Sequence, residues 1–119
     1  MVKAETLEHY LASLDETRAT TVQAVVDAVL AGHPDATVKI AWNVPQIQID
    51  GKYVFGISAA KKHISLSPWS QIAMDMYAER LAQYEPTANL FRVPTDWQVD
   101  QQLITDLVDA RLAELADEL

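Results

Sequence analysis

The chain has 119 residues, half of them apolar, with 17 Asp and Glu against 9 Lys and Arg for a net charge of −8. One compact domain spanning 1–119 fits that length, and such a domain buries roughly 65% of its unfolded surface without a disulfide or metal staple. Three glycines, five prolines and no cysteine exclude collagen, low-complexity disorder, a disulfide scaffold, cysteine-held zinc or iron–sulfur sites and a thiolate nucleophile. The acidic balance disfavours nucleic acid and anionic membrane surfaces as partners. No apolar run approaches the 18 residues of a spanning helix, and the N-terminus lacks the apolar core of a signal peptide. Together with the missing cysteines this predicts a cytoplasmic protein.

In chain order, Leu7, Tyr10, Leu11 and Leu14 recur at helical spacing behind Thr6 as N-cap. A second helix carries Val22, Val25, Val26, Val29 and Leu30 on one stripe and stops at Gly32-His33-Pro34. From Thr37 to Pro68 the period changes to two. Val38, Ile40 and Trp42, then Ile47 and Ile49, then Tyr53, Phe55 and Ile57, then Ile64 and Leu66 mark four short antiparallel strands. Asp50-Gly51 suits a two-residue hairpin loop, but that loop sets Tyr53 opposite Gln48 on the glutamine side. The apolar pattern therefore predicts a three- or five-residue loop with Gly51 left-handed or in a bulge. At Lys61-Lys62 a two-residue loop sets Ile57 opposite Leu66 and Ala59 opposite Ile64.

The sheet so read has an apolar face with Val38, Ile40, Trp42, Ile47, Ile49, Phe55, Ile57, Ile64 and Leu66. Its wet face holds Lys39, Gln46, Gln48, Ser58, His63, Ser65 and Ser67. A third helix is expected from about Ser70 to Tyr84, burying Ile72, Ala73, Met76, Tyr77, Leu81 and Tyr84, with Trp69 stapled onto Met74. Leu90 to Val93 reads as a fifth, edge strand before Pro94. A last helix runs from about Asp100 to Asp117 on Leu103, Ile104, Leu107, Val108, Leu112 and Leu115. The fold class is α+β, a meander of four to five antiparallel strands with helices packed on one face, in the order α-α-β-β-β-β-α-β-α.

No P-loop, dinucleotide fingerprint, nucleophile elbow or His-Glu-x-x-His occurs. His63, at a hairpin end among serines, reads as a half-exposed strand histidine or as a ligand or acid–base group. Glu5, Glu8 and His9 share one helix face with spacing for weak metal binding, and Asp106 with Asp109 form a second acidic pair. Asp75 with Glu79 and the Glu114, Asp117 and Glu118 end are further acidic clusters; each of these groups also reads as a solvated surface. Trp42, Tyr53, Phe55, Trp69, Phe91 and Trp97 fill a core or line a pocket, with Trp69 and Trp97 at element boundaries. Arg111 interrupts an apolar stripe, its stem packing and its head meeting a carboxylate.

Ala41-Trp42-Asn43-Val44-Pro45, Asp50-Gly51-Lys52, Ser58-Ala59-Ala60-Lys61-Lys62-His63-Ile64 and Pro68 resemble the YdhG-like family of small bacterial domains. Arg111 matches an arginine near that family's end. Some members are described as frataxin-like intracellular iron chaperones. The resemblance implies an acidic iron-binding surface and iron-utilising assembly proteins as partners. Trp-Asn-Val-Pro departs from the family's Tyr-Gly-x-Pro turn, so a site bordering that turn differs here.

Three functional readings follow. The first is a non-enzymatic iron carrier, monomeric or weakly dimeric, using Glu5, Glu8 and His9 or Asp106 and Asp109. The second is a small-molecule or peptide-binding module using the wet face around His63 or a pocket near Trp42, Pro45, Trp69 and Phe91. The third is an enzyme with His63 as base.

Overall fold

A computed structural model describes residues 6–117. Helices α1 (Leu7–Ala12) and α2 (Glu16–Gly32) lead into strands β1 (Thr37–Ala41), β2 (Val44–Ile49), β3 (Lys52–Ala59) and β4 (His63–Ser67). Short helices α3 (Gln71–Met76) and α4 (Ala78–Leu81) follow, with a 3-10 turn at Ala82–Tyr84, then β5 (Phe91–Pro94) and helix α5 (Gln101–Asp117). The strands form one antiparallel sheet in sequence order, β1-β2-β3-β4-β5. This is the α+β meander that the periodicities predict, edge strand included.

The core lies between one sheet face and the helices. Phe55, Ile57, Ile64, Leu66, Phe91 and Val93 from the sheet meet Val22, Val25, Val29, Leu103, Ile104 and Leu107 from α2 and α5, all essentially inaccessible to water. Apolar area removed from water on this scale is the main term holding the fold. Thr6 and Ser70 cap α1 and α3, accepting from the backbone N–H of His9 and Ala73. Asp100 caps α5 by accepting from Leu103 N–H at 3.1 Å. Arg18, in α2, donates to Asp15 and also to the Ala60 carbonyl at 3.1 Å, tying α2 to the β3–β4 hairpin.

The β3–β4 hairpin has the expected register, Ile57 opposite Leu66 and Ala59 opposite Ile64, around a two-residue Lys61-Lys62 turn. The β2–β3 hairpin corrects the expected odd loop. Asp50 and Gly51, with φ of 52° and 77°, form a two-residue turn pairing Ile49 with Lys52 and Gln48 with Tyr53. The register then slips, so that Ile47 faces Phe55 and Val54 has no partner of its own. This β-bulge reconciles turn chemistry with burial: the turn takes the length Asp-Gly prefers, and one extra residue returns Phe55 to the core. Val54 is itself fully buried. Tyr53, on the turn side of the bulge, stays on the glutamine face.

Two further expectations are corrected. Trp42 does not continue β1 on the apolar face; with Asn43 it makes the β1–β2 turn, φ 54° and 64°, and its side chain is 68% exposed. The third helix breaks at Tyr77, and its buried stripe is Ala73, Met74 and Leu81, while Ile72 and Met76 are exposed. Two helical stripes overlap in that segment, and packing against α5 selects the smaller one. Trp69 sits at φ 57°, and its indole lies over the glutamine face, donating to Gln46.

Candidate functional site

The face of the sheet away from the helices carries Lys39, Gln46, Gln48, Tyr53, Gly56, Ser58, His63, Ser65, Ser67 and Arg92, because their strand neighbours point into the core. One end of this face is covered by three aromatic rings from three separate segments. The β1–β2 turn brings Trp42, the bulged start of β3 brings Tyr53, and the residue after Pro68 brings Trp69. Tyr53 stacks on Trp69 with centroids 5.1 Å apart and planes 20° from parallel. Trp42 leans on both, at 5.4 Å and 5.8 Å.

Beneath the rings, Gln46 is held at 6% exposure and its Oε1 accepts from Trp69 Nε1–H at 2.9 Å. Gly56 stands opposite Gln46 in the ladder, and a Cβ there would lie 2.7 Å from that oxygen. The glycine therefore makes room for the amide that anchors Trp69. Arg111 fixes the cluster from behind, its Nε–H donating to the Tyr53 carbonyl at the bulge at 3.0 Å. The expected carboxylate partner is also present, Glu114 Oε2 at 3.4 Å. Beside Trp69 a cleft of about 230 Å³ is lined by Ser67, Ser70, Gln71 and Asn89.

Trp42 and Trp69 both hold left-handed backbone conformations, which cost a non-glycine residue of order 1–2 kcal/mol. Both rings are also partly in water, Trp42 at 68% and Trp69 at 36%. A core residue recovers such strain through burial; Trp42 recovers little. Strain and exposure coincide on the two tryptophans that form the platform.

Of the sequence-derived ligand set, the structure joins Trp42 to Trp69 and separates the rest. Phe91 is fully buried in the core against Tyr84. Pro45 is buried on the helix side of β2, opposite Ile40. Neither reaches the outer face. His63, half-buried, pairs with Pro94 at the far end of β4. Five residues lie between it and Trp69, four of them in β4, so the two stand at opposite ends of that strand. Tyr53, one of the six aromatics that read as core or pocket, reaches the platform through the two-residue turn at Asp50-Gly51, and Gln46 and Gly56, which no motif marks, complete the site.

The acidic candidates are scattered. Glu8 and His9 are exposed on α1, and Glu5 and Glu118 lie outside the described residues. Asp106 accepts from Arg80 Nη1 at 2.7 Å and from Gln102 Nε2 at 2.9 Å, and the Arg80 bond holds its carboxyl below the usual range. Asp109 Oδ1 lies 2.8 Å from His33 Nε2, without hydrogen-bond alignment. Among the described residues, no group of three His, Asp or Glu is placed to hold a metal ion. None of their helices is long and apolar enough to cross a membrane.

No protein-family model matches the chain. A Bacillus subtilis protein named intracellular iron chaperone frataxin is 24% identical over 115 residues, covering 95% of this chain and 94% of its own length. The crystal structure of a DUF1801 family protein, YdhG of Bacillus subtilis, superposes with a TM-score of 0.84 at 23% identity, over 94% of this chain and 92% of that one. An uncharacterized conserved protein from Lactobacillus casei superposes at 0.60 with 21% identity, over 96% and 95%. The resemblance carried by the Ala41–Pro45 turn and the Lys62-His63-Ile64 strand thus extends to three dimensions, and the chain has the fold of the DUF1801 (YdhG) proteins.

Proposed function

We propose that this chain is a binding domain that holds a planar ring of a small ligand against the platform of Trp42, Tyr53 and Trp69. The observation that carries this reading is the pairing of left-handed backbone with solvent-exposed indole at Trp42 and Trp69. The left-handed backbone at Trp42 closes the β1–β2 turn, a place an asparagine or glycine fills without strain, and the exposed parts of the two indoles present aromatic surface where a fourth ring can add to the stack. Gln46 and Arg111 pre-organise that surface from beneath, so little order is lost on binding. The cleft beside Trp69 offers hydroxyl and amide groups for the polar part of the ligand. Stacking of a base on an aromatic ring is worth about 1–3 kcal/mol, a factor of roughly 5 to 150 in affinity for each ring that engages. The test is titration with adenosine, a neutral planar probe, read by tryptophan fluorescence. Saturable quenching in the wild type that is lost in Trp42→Ala supports the reading. No quenching, or equal quenching in Trp42→Ala, overturns it.

A second reading, iron carriage, is favoured by the full-length likeness to the Bacillus protein named an iron chaperone. Its donors here would be Glu8 and His9, free of the ion pairs that engage Asp106 and Asp109. Its partners would be iron-utilising assembly proteins. Anaerobic calorimetric titration decides it. Selective Fe(II) heat that falls in Glu8→Gln/His9→Gln supports carriage, and no heat, or equal response to Mg²⁺, removes it.

A further inference from the structure

Among the described residues no Asp or Glu lies in a strand, whereas the strands carry Lys39, Lys52, His63 and Arg92. Charge is therefore segregated: the helices and turns hold the acid that makes the chain −8, and the outer sheet face is locally basic. Lys39 is directly opposite Gln46, the residue that anchors Trp69, and both project from the outer face. Directly opposed residues have Cβ atoms about 5 Å apart, so the Lys39 stem stands at the edge of the platform. Arg92, opposite Ser65, stands on the same face but on β5, the far edge of the sheet from Lys39, roughly 19 Å across at about 4.8 Å per strand. Both side chains are exposed, and neither enters an ion pair with a described residue. The nearest acid in sequence to the platform is Asp50, in the β2–β3 turn.

We infer that the ring held by the platform carries a phosphate, and that Lys39 reads it. The inference rests on the platform being a ring-binding site and adds the charge of the ligand. A monophosphate of nucleotide size suits the arrangement, since the ring lies on Trp42, Tyr53 and Trp69 while the anion reaches a cation at the rim. The net charge of −8 does not oppose this. It repels polyanions at long range, but at 0.15 M salt the field is screened within about 8 Å, and inside that distance the ligand meets Lys39.

The experiment compares adenosine with AMP by tryptophan fluorescence, at low and high salt, in the wild type, Lys39→Gln and Arg92→Gln. AMP is expected to bind roughly three- to fivefold tighter than adenosine at low salt, the worth of a solvent-exposed ion pair. That preference should vanish in Lys39→Gln and in high salt and persist in Arg92→Gln, on the far edge of the sheet, with adenosine affinity unchanged throughout. Equal binding of adenosine and AMP by the wild type would sink the phosphate site while leaving the platform standing. Failure of both probes would take the platform with it. A preference for AMP that persists in Lys39→Gln, or that is lost in Arg92→Gln, would place the anion elsewhere and refute the assignment to Lys39.

Discussion

Arg111→Met should cost the fold about 2–3 kcal/mol although it keeps most of the buried stem. The bulge at Val54 interrupts the β2–β3 ladder, and the Tyr53 carbonyl beside it is bonded by Arg111 Nε–H at 3.0 Å. The arginine side chain is 15% exposed, so water replaces it poorly. A hydrogen bond from a charged donor contributes about 1.5–3 kcal/mol, and an abandoned buried acceptor costs about 1–3 kcal/mol; these describe one loss and are not summed. Glu114, 20% exposed, loses its cation as well and adds a few tenths of a kcal/mol. At about 2.1 cal/mol/K of unfolding entropy per residue, roughly 0.25 kcal/mol/K for this length, Tm should fall by about 8–12 °C. Urea denaturation supplies the free energy and calorimetry the Tm. Near-ultraviolet circular dichroism should weaken too, because Tyr53 belongs to the ring stack. Arg111→Lys, which can reach one acceptor but not fork between two, should fall between. A Met variant within 0.5 kcal/mol of wild type would show that the bulge supports itself and that the arginine is incidental.

Trp69→Phe keeps a ring on the stack but removes the donor to Gln46, leaving a buried amide oxygen unpaired; urea denaturation should show a loss of about 1–2 kcal/mol. Gly56→Ala meets Gln46 Oε1 at 2.7 Å without backbone strain, so the lost amide bond and the gain of about 0.5–1 kcal/mol from replacing a strand glycine should nearly cancel. Its signature is a shift in Trp69 emission at near-unchanged stability. Arg80→Gln should lower stability by less than about 1 kcal/mol at neutral pH, since the Asp106 pair is partly exposed. Arg80 lowers the Asp106 pKa from 3.8, so this stability is present above the unfolded value and lost as pH falls through the folded one. The wild-type advantage in a pH series of urea melts should therefore close on the acid side of 3.8 and persist above it.

Elements whose local and tertiary preferences agree were legible from residues alone. The Val22–Val29 stripe, the Thr6 and Ser70 caps, the Lys61-Lys62 turn and the Phe91–Val93 edge strand all stand as periodicity and turn chemistry place them. Where two preferences conflict, the sequence does not say which yields. At Asp50-Gly51 turn length and apolar parity disagree, and the structure satisfies both by inserting Val54, an option outside simple pairing. At Ile72–Met76 two stripes compete, and only the position of α5 chooses. Trp42 extends an apolar alternation, yet with Asn43 it can close a tight turn, and no local rule favours indole at positive φ. Trp42, Tyr53 and Trp69 are legible as pocket aromatics, but their meeting on the outer face is not, for the same reason: all three rings stand where an exception occurs, at a strained turn, beside a bulge and at a left-handed strand exit.

Trp42→Asn separates binding from folding most cleanly. Trp42 occupies the first central position of a turn with both central residues at positive φ, where asparagine is favoured and tryptophan is strained. The exchange should return about 1 kcal/mol of backbone strain. Against that, the indole is 68% exposed, and the buried third of its surface, about 80 Å², is worth at most about 2 kcal/mol. The net loss should be about 1 kcal/mol, far below the 3–5 kcal/mol typical of removing a core aromatic. Adenosine quenching should nonetheless fall at least tenfold, since the outermost ring of the stack is gone. Urea melts and fluorescence titrations on the same preparation read the two quantities side by side. If Trp42→Asn costs 3 kcal/mol or more, the ring belongs to the fold and its strain is structural. A cheap substitution that abolishes quenching means that the turn carries tryptophan, at the expense of its own geometry, for the surface it presents.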